Sequence, residues 1–74
     1  MTNMAVDIPY HEFLYQVQQI WLEGSWRYGQ ALFNCLHTFR PDLADKVRTT
    51  PLDPFHKDHS DINPELWVFL MENW

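Results

Sequence analysis

Cysteine occurs once, at Cys35, so no intramolecular disulfide can staple this chain, and a lone thiol suits a reducing compartment better than a secreted scaffold. No stretch approaches the run of about eighteen apolar residues that spans a bilayer, and no basic segment precedes an apolar run at the N-terminus. A soluble cytoplasmic protein without a membrane partner is therefore expected. Gly-rich phosphate loops, a Gly-x-Ser-x-Gly elbow and paired carboxylates in an aromatic cleft are all missing. A chain of 74 residues can hardly enclose a substrate without assembling, so neither enzyme activity nor a cofactor is expected. One domain spanning 1–74 is all that this length supports, and a domain this small buries only about 60% of the surface its unfolded chain exposes.

Positive charge is also scarce. Residues 1–26 and 58–74 contain no Lys or Arg, while they carry Asp7, Glu12, Glu23, Asp58, Asp61, Glu65 and Glu72. All five bases lie between them, and the net charge is −5. Nucleic-acid binding needs a clustered positive field that displaces counterions from phosphates, so this balance argues against it. Acidic ends fit either a basic patch on another protein or ordinary solubilising charge. Mimicry of nucleic acid is a minor alternative, because no two acidic residues are adjacent as phosphate charges are.

What the chain has in quantity is aromatic side chains: four Trp, three Tyr and five Phe. Tyr10, Phe13, Leu14, Val17, Ile20 and Trp21 recur at steps of three and four, which predicts a helix from about Pro9 to Leu22 with Asp7 as its cap. Gly24 breaks the run, and Ser25 is the expected N-cap of a second helix from Trp26 to about Phe39. Its core stripe is Tyr28, Leu32, Cys35, Leu36 and Phe39; Trp26, Gly29 and Phe33 form a second apolar flank where Gly29 lets another backbone come close. Arg40-Pro41 ends this helix and opens a short third one anchored by Leu43, Ala44 and Val47. A Pro/Asp/His-rich loop follows over about 49–62, which Leu52 and Phe55 can pin to the body. Asn63-Pro64 starts a last helix, with Ile62 as staple to Trp67, that is apolar almost all round and so either central to the core or partly in an interface. The expected fold is all-α: a compact three- to four-helix domain with one long loop.

The remaining chemistry-bearing residues admit plain readings. His56 and His59 lie near oxygen ligands in the loop, yet zinc needs three or four ligands in tetrahedral geometry, and solvated loop histidines without metal are expected. Cys35 and His37 point about 200° apart on a helix and cannot work as a nucleophile and base. A helix-turn-helix made of the second and third helices would offer only Lys46 and Arg48 beside Asp42 and Asp45. Protein recognition is left. The outer face of the first helix presents Tyr15, Gln16, Gln18 and Gln19 without Lys, and interface cores are poor in charge and rich in Tyr, Trp and Met. Tyr15, Gln16 and Gln19, with Trp26 as a neighbouring anchor and Phe55 in the loop, are the candidate protein-binding residues. Trp26, Phe33, Trp67, Met71 and Trp74 are candidates for incomplete burial. A tight monomer that uses its rings as oversized core fillers would have the same composition.

The stretch Trp26-Arg27-Tyr28-Gly29-Gln30-Ala31-Leu32-Phe33-Asn34, followed by Arg40-Pro41-Asp42-Leu43-Ala44 and Leu52-Asp53-Pro54-Phe55, resembles a pattern carried by short, uncharacterised proteins of phages and prophages. None of its residues has a chemical role that carries over. The resemblance implies a mobile-element setting in the host-cell cytoplasm, where small acidic phage proteins often bind and block host machinery, as anti-CRISPR and other anti-defence proteins do. The expected function is that of a helical protein-binding module, an accessory or inhibitory protein of phage type whose partner is a host or phage protein. The alternative is a self-associating structural or assembly protein that buries its aromatic excess in a homodimer.

Overall fold

The computed structural model describes residues 8–74, and among them are four α-helices and no strand. They are α1 (Tyr10–Leu22), α2 (Tyr28–Phe39), α3 (Pro41–Val47) and α4 (Pro64–Asn73), with a 3₁₀ turn at His59–Asp61. The all-α expectation holds. In α1 the apolar stripe turns inward: Phe13 and Val17 are fully buried, and Tyr10, Leu14, Ile20 and Trp21 pack half-buried around them. Pro9 stands one position ahead of the helix, its carbonyl accepting from the amides of Glu12 and Phe13, both at 3.1 Å. The cap expected from Asp7 lies outside the described residues.

Gly24 ends α1 at φ 87°, the left-handed conformation that glycine adopts without strain, and its amide returns to the carbonyl of Trp21 at 2.9 Å. Ser25 does not cap α2. That helix starts at Tyr28, two residues later than expected, with Arg27 as an extended N-cap that makes no side-chain cap bond. The reason is tertiary. The free amide of Gly29 in the first turn donates to the carbonyl of Lys57 at 2.9 Å, so the long loop supplies the acceptor that a capping side chain would otherwise provide. An ion pair from Arg27 to Asp58, 3.2 Å long, sits beside it.

The expected close approach at Gly29 is therefore present, and its partner is the loop backbone. A Cβ on Gly29 would stand 1.8 Å from the carbonyl oxygen of Pro54 and 2.6 Å from that of Lys57. The loop itself is tied by Asp53, whose carboxylate accepts from the amides of Thr49 (2.9 Å) and Phe55 (3.0 Å). Those bonds hold Thr49 at φ 60°, a conformation that strains a β-branched residue. Pro54 is fully buried, and Phe55 meets the ring of Phe33 edge-on at 5.8 Å. Phe33, a candidate for incomplete burial on sequence, is consequently buried beneath the loop. Asn63 caps α4 as expected, accepting from the amide of Glu65 at 3.0 Å.

Leu32 and Leu36 of α2, Leu43 and Val47 of α3, and Leu66 and Leu70 of α4 close the core, and no polar or charged residue is buried among the described ones. Burial of each such leucine contributes about 2 kcal/mol. Helix α4 faces both ways: Leu66 and Leu70 lie in the core, while Val68 and Met71 are exposed. Its end is held by Arg40. The guanidinium donates to the backbone oxygens of Trp74 (2.6 Å) and Asn73 (3.3 Å), clamps the Asp42 carboxylate through Nε and Nη2, and stands 5.3 Å from the Trp74 ring. The indole of Trp74 then donates to the carbonyl of Ile8 at 2.7 Å and lies 4.7 Å from the Phe13 ring. A cation at the C-terminal carbonyls of a helix is also where the helix dipole favours it.

Two outcomes follow from these contacts. Helix propensity alone favours alanine over glycine inside α2 by about 1 kcal/mol, yet Gly29→Ala should lose about 3 kcal/mol, because the new carbon collides with backbone that cannot move alone. Chemical denaturation that shows an equal or more stable Gly29→Ala protein would remove the loop contact from the fold. Hydrogen bonding and charge from Arg40 hold the Asp42 carboxyl below its ordinary value. A carboxyl shifted down on folding contributes stability that is complete above the unfolded pKa and is lost as the pH falls through the folded one. Asp42→Asn should therefore flatten the decline of melting temperature below about pH 4; unchanged acid slopes would contradict the clamp.

Candidate protein-binding surface

The five candidate residues do not form one patch. Tyr15 is 56% exposed and lines a groove of about 480 Å³ with His11, Leu14 and Gln18 of α1, Tyr28, His59 and Trp67. Gln16 points to the next side of α1. It is half-buried, donates to the Glu12 carboxylate at 3.3 Å, and shares a smaller groove of about 200 Å³ with Ile20, Trp26, Asn34, Cys35, Thr38 and Phe39. Trp26 is 39% exposed in the connection ahead of α2, and it also edges a depression with Ile20, Glu23 and Ser25. Gln19 is exposed and lines none of these hollows. Phe55 is away from all of them, half-buried against Phe33 and 4.9 Å from the His56 ring. Gln16 and Trp26 thus share a surface, Tyr15 and Gln19 flank it on α1, and Phe55 serves the loop.

The candidates read from the sequence are three residues of α1 together with Trp26 and Phe55, and the groove beside Gln16 and Trp26 also takes in residues of α2. Asn34 and Thr38 form the far wall of the Trp26 groove. A signal was present, since residues 28–39 contain no Asp, Glu, Lys or Arg and residues 10–22 contain only Glu12. Two adjacent helices with one formal charge between them expose amides, hydroxyls and rings, the groups enriched where a partner displaces water. Cys35 lies in the wall of this groove but is buried, and burial pushes its thiol up to about 11, so it stays protonated and inert near neutral pH.

The histidine loop is more ordered than its composition predicts. His56 and His59 are exposed, as expected of loop histidines, and the His59 ring also stacks on Trp21 at 5.7 Å and 17° and meets Tyr28 edge-on at 4.5 Å. Among the described residues no group of three or more His, Cys, Asp and Glu stands close enough to hold a metal ion, and no helix is long and apolar enough to cross a membrane. Of the large side chains suspected of incomplete burial, Met71 is 65% exposed and Trp26 39%, whereas Trp67 and Trp74 pack half-buried against the core.

The contact between Gln16 and Glu12 separates two neighbouring glutamines by experiment. Gln16→Glu replaces a donor with a second carboxylate one turn from Glu12 and should cost about 1 kcal/mol, while Gln19→Glu, at an exposed position, should stay within about 0.5 kcal/mol. Equal thermal melts for the two variants would place Gln16 in solvent.

Compared with protein families, curated proteins and solved structures, the chain matches none.

Proposed function

We propose that this chain is a small helical protein-binding module that acts by surface contact. The observation that carries the reading is the nearly uncharged outer surface of α1 and α2, with Trp26 half-exposed in a groove walled by Gln16, Ile20, Asn34 and Thr38. A chain of net charge −5 that places almost none of that charge on two packed helices keeps a surface which a partner can cover at little desolvation cost. Trp26 is the anchor, since a partly exposed indole in a hollow is the side chain that most often dominates a contact. On the pattern that residues 26–55 were read to share with short phage and prophage proteins, we propose an accessory or inhibitory role of phage type, with a host or phage protein as the target.

A second reading, self-association, is favoured by one observation: Val68 and Met71, three residues apart on α4, expose an apolar stripe at 49% and 65%. A homodimer would cover it. Sedimentation velocity at micromolar concentration separates the readings, and the contact-module reading expects a monomer.

The decisive test is a Trp26→Ala, Gln19→Glu double variant of the full chain. Both positions are outside the core, so helical circular dichroism and the cooperative melt should persist. Affinity-tagged chain expressed in its native host should retain a stoichiometric protein partner that the double variant loses by at least about tenfold in affinity, as removal of a central aromatic anchor does. Undiminished retention by the folded variant would exclude this surface.

A further inference from the structure

The ring–ring contacts among the described residues form three clusters, and two of them are topped by an arginine of this chain. Arg40 stands over Trp74, 5.3 Å from the ring centre, beside Tyr10 and Phe13. Arg48 stands over Phe33 at 5.7 Å, beside Phe55. The third cluster joins Trp21, Tyr28, His59 and Trp67 and opens into the groove that Tyr15 and Gln18 flank. Among the described residues no cation stands over its rings. The elements around it, α1, α4 and the 3₁₀ turn, carry Glu12, Asp61, Glu65 and Glu72 but no Lys or Arg; of the nearby bases, Arg27 is paired with Asp58 and Lys57 is exposed two residues before His59.

The floor of the groove adds an independent observation. Tyr28 is 8% exposed, and among the described residues its phenol has no hydrogen-bond partner. Burial raises its pKa above the ordinary tyrosine value, so the group is a neutral hydroxyl at every physiological pH. An oxygen on the floor of the groove that bonds to no other group of the described chain is open to a donor that enters there.

We propose that the groove between α1 and α4 accepts an arginine side chain of the partner protein, completing on the third aromatic cluster the arrangement that Arg40 and Arg48 make on the other two. This rests on the protein-binding reading and names the chemistry of its partner. A guanidinium is planar, carries five donors and sheds water more readily than an ammonium. Its flat face lies on the rings of Tyr15 or Trp67, its N–H groups donate to the Tyr28 oxygen and the Gln18 amide oxygen, and the acidic excess of α1, α4 and the 3₁₀ turn favours a cation over a neutral group. Lysine, a strongly hydrated point charge, matches the charge but not the plane.

The test uses the full chain, isotopically labelled, titrated by NMR with three capped tripeptides, Gly-Arg-Gly, Gly-Lys-Gly and Gly-citrulline-Gly. The arginine peptide should shift the Trp67 indole and the amides around Tyr15 and Tyr28 saturably, with an affinity about fivefold or more above that of neutral, isosteric citrulline and with lysine between them. Tyr28→Phe should keep or raise the melting temperature and weaken the arginine peptide by about threefold. Equal binding of citrulline, shifts confined to other surfaces, no saturable shift, or a Tyr28→Phe protein with a markedly lower melting temperature would each overturn the proposal. The Trp26→Ala, Gln19→Glu variant leaves this groove intact and should respond to arginine like the parent. Loss of the arginine response in a chain that still captures its partner therefore defeats this inference alone, and an arginine response in a chain that captures nothing defeats the contact-module reading alone.

Discussion

The backbone contact at Gly29 organises more of this molecule than its single hydrogen bond suggests. A loop from 48 to 63 links α3 to α4, and such a stretch can take a defined path only where its polar backbone finds partners. Here the carbonyls of Pro54 and Lys57 come so close to the first turn of α2 that only glycine leaves room. That approach satisfies the Gly29 amide, seats Phe55 on Phe33, and carries the chain onward so that His59 reaches Trp21 and Tyr28. The groove floored by Tyr28 exists because the loop passes that point. One residue without a side chain thereby couples the position of the loop, the start of α2 and the shape of the surface.

A domain of this size has little stability to spare, and the way it uses its arginines and aromatics reflects that. Burying a charge is costly unless the charge is paired, and the core contains none. Arg40 and Arg48 instead lie along ring faces at the edge of the core, where their stems cover apolar surface and their heads keep hydrogen bonds or water. Arg40 does the most: it joins the α2–α3 junction to the carbonyls at the end of α4, and through Trp74 to Ile8 ahead of α1. Segments distant in sequence are closed against each other without a disulfide.

The surface is unequal in consequence. Acidic residues collect at α4 and around the 3₁₀ turn, the bases sit at the connections and on α3, and the pair α1 and α2 is left nearly neutral. Rings that cannot fit wholly inside a small core then emerge along this pair, as Tyr15 does on α1 and Trp26 just ahead of α2. This distribution is the basis of the proposed contact with another protein.

Local chemistry made much of the fold legible. The three-and-four spacing of α1, the Gly24 break, the Arg40-Pro41 and Asn63-Pro64 boundaries and the buried stripe of α3 each depend on residues close together in sequence, and each is where its pattern placed it. Even the need for a close backbone approach at Gly29 could be read, because a glycine inside an apolar flank has few other uses. What approaches Gly29 could not, since the answer lies nearly thirty residues away in the loop, and neither could the start of α2 at Tyr28, which follows from that contact rather than from Ser25. The same limit governed the surface. The sequence alone determined that α1 and α2 carry almost no charge and that large rings exceed what a small core hides. Only the tertiary structure decided which rings remain outside, that Phe33 goes under Phe55 while Trp26 stays half-exposed, and that His59 joins an aromatic cluster, because burial depends on what packs opposite and no single segment contains its own partner.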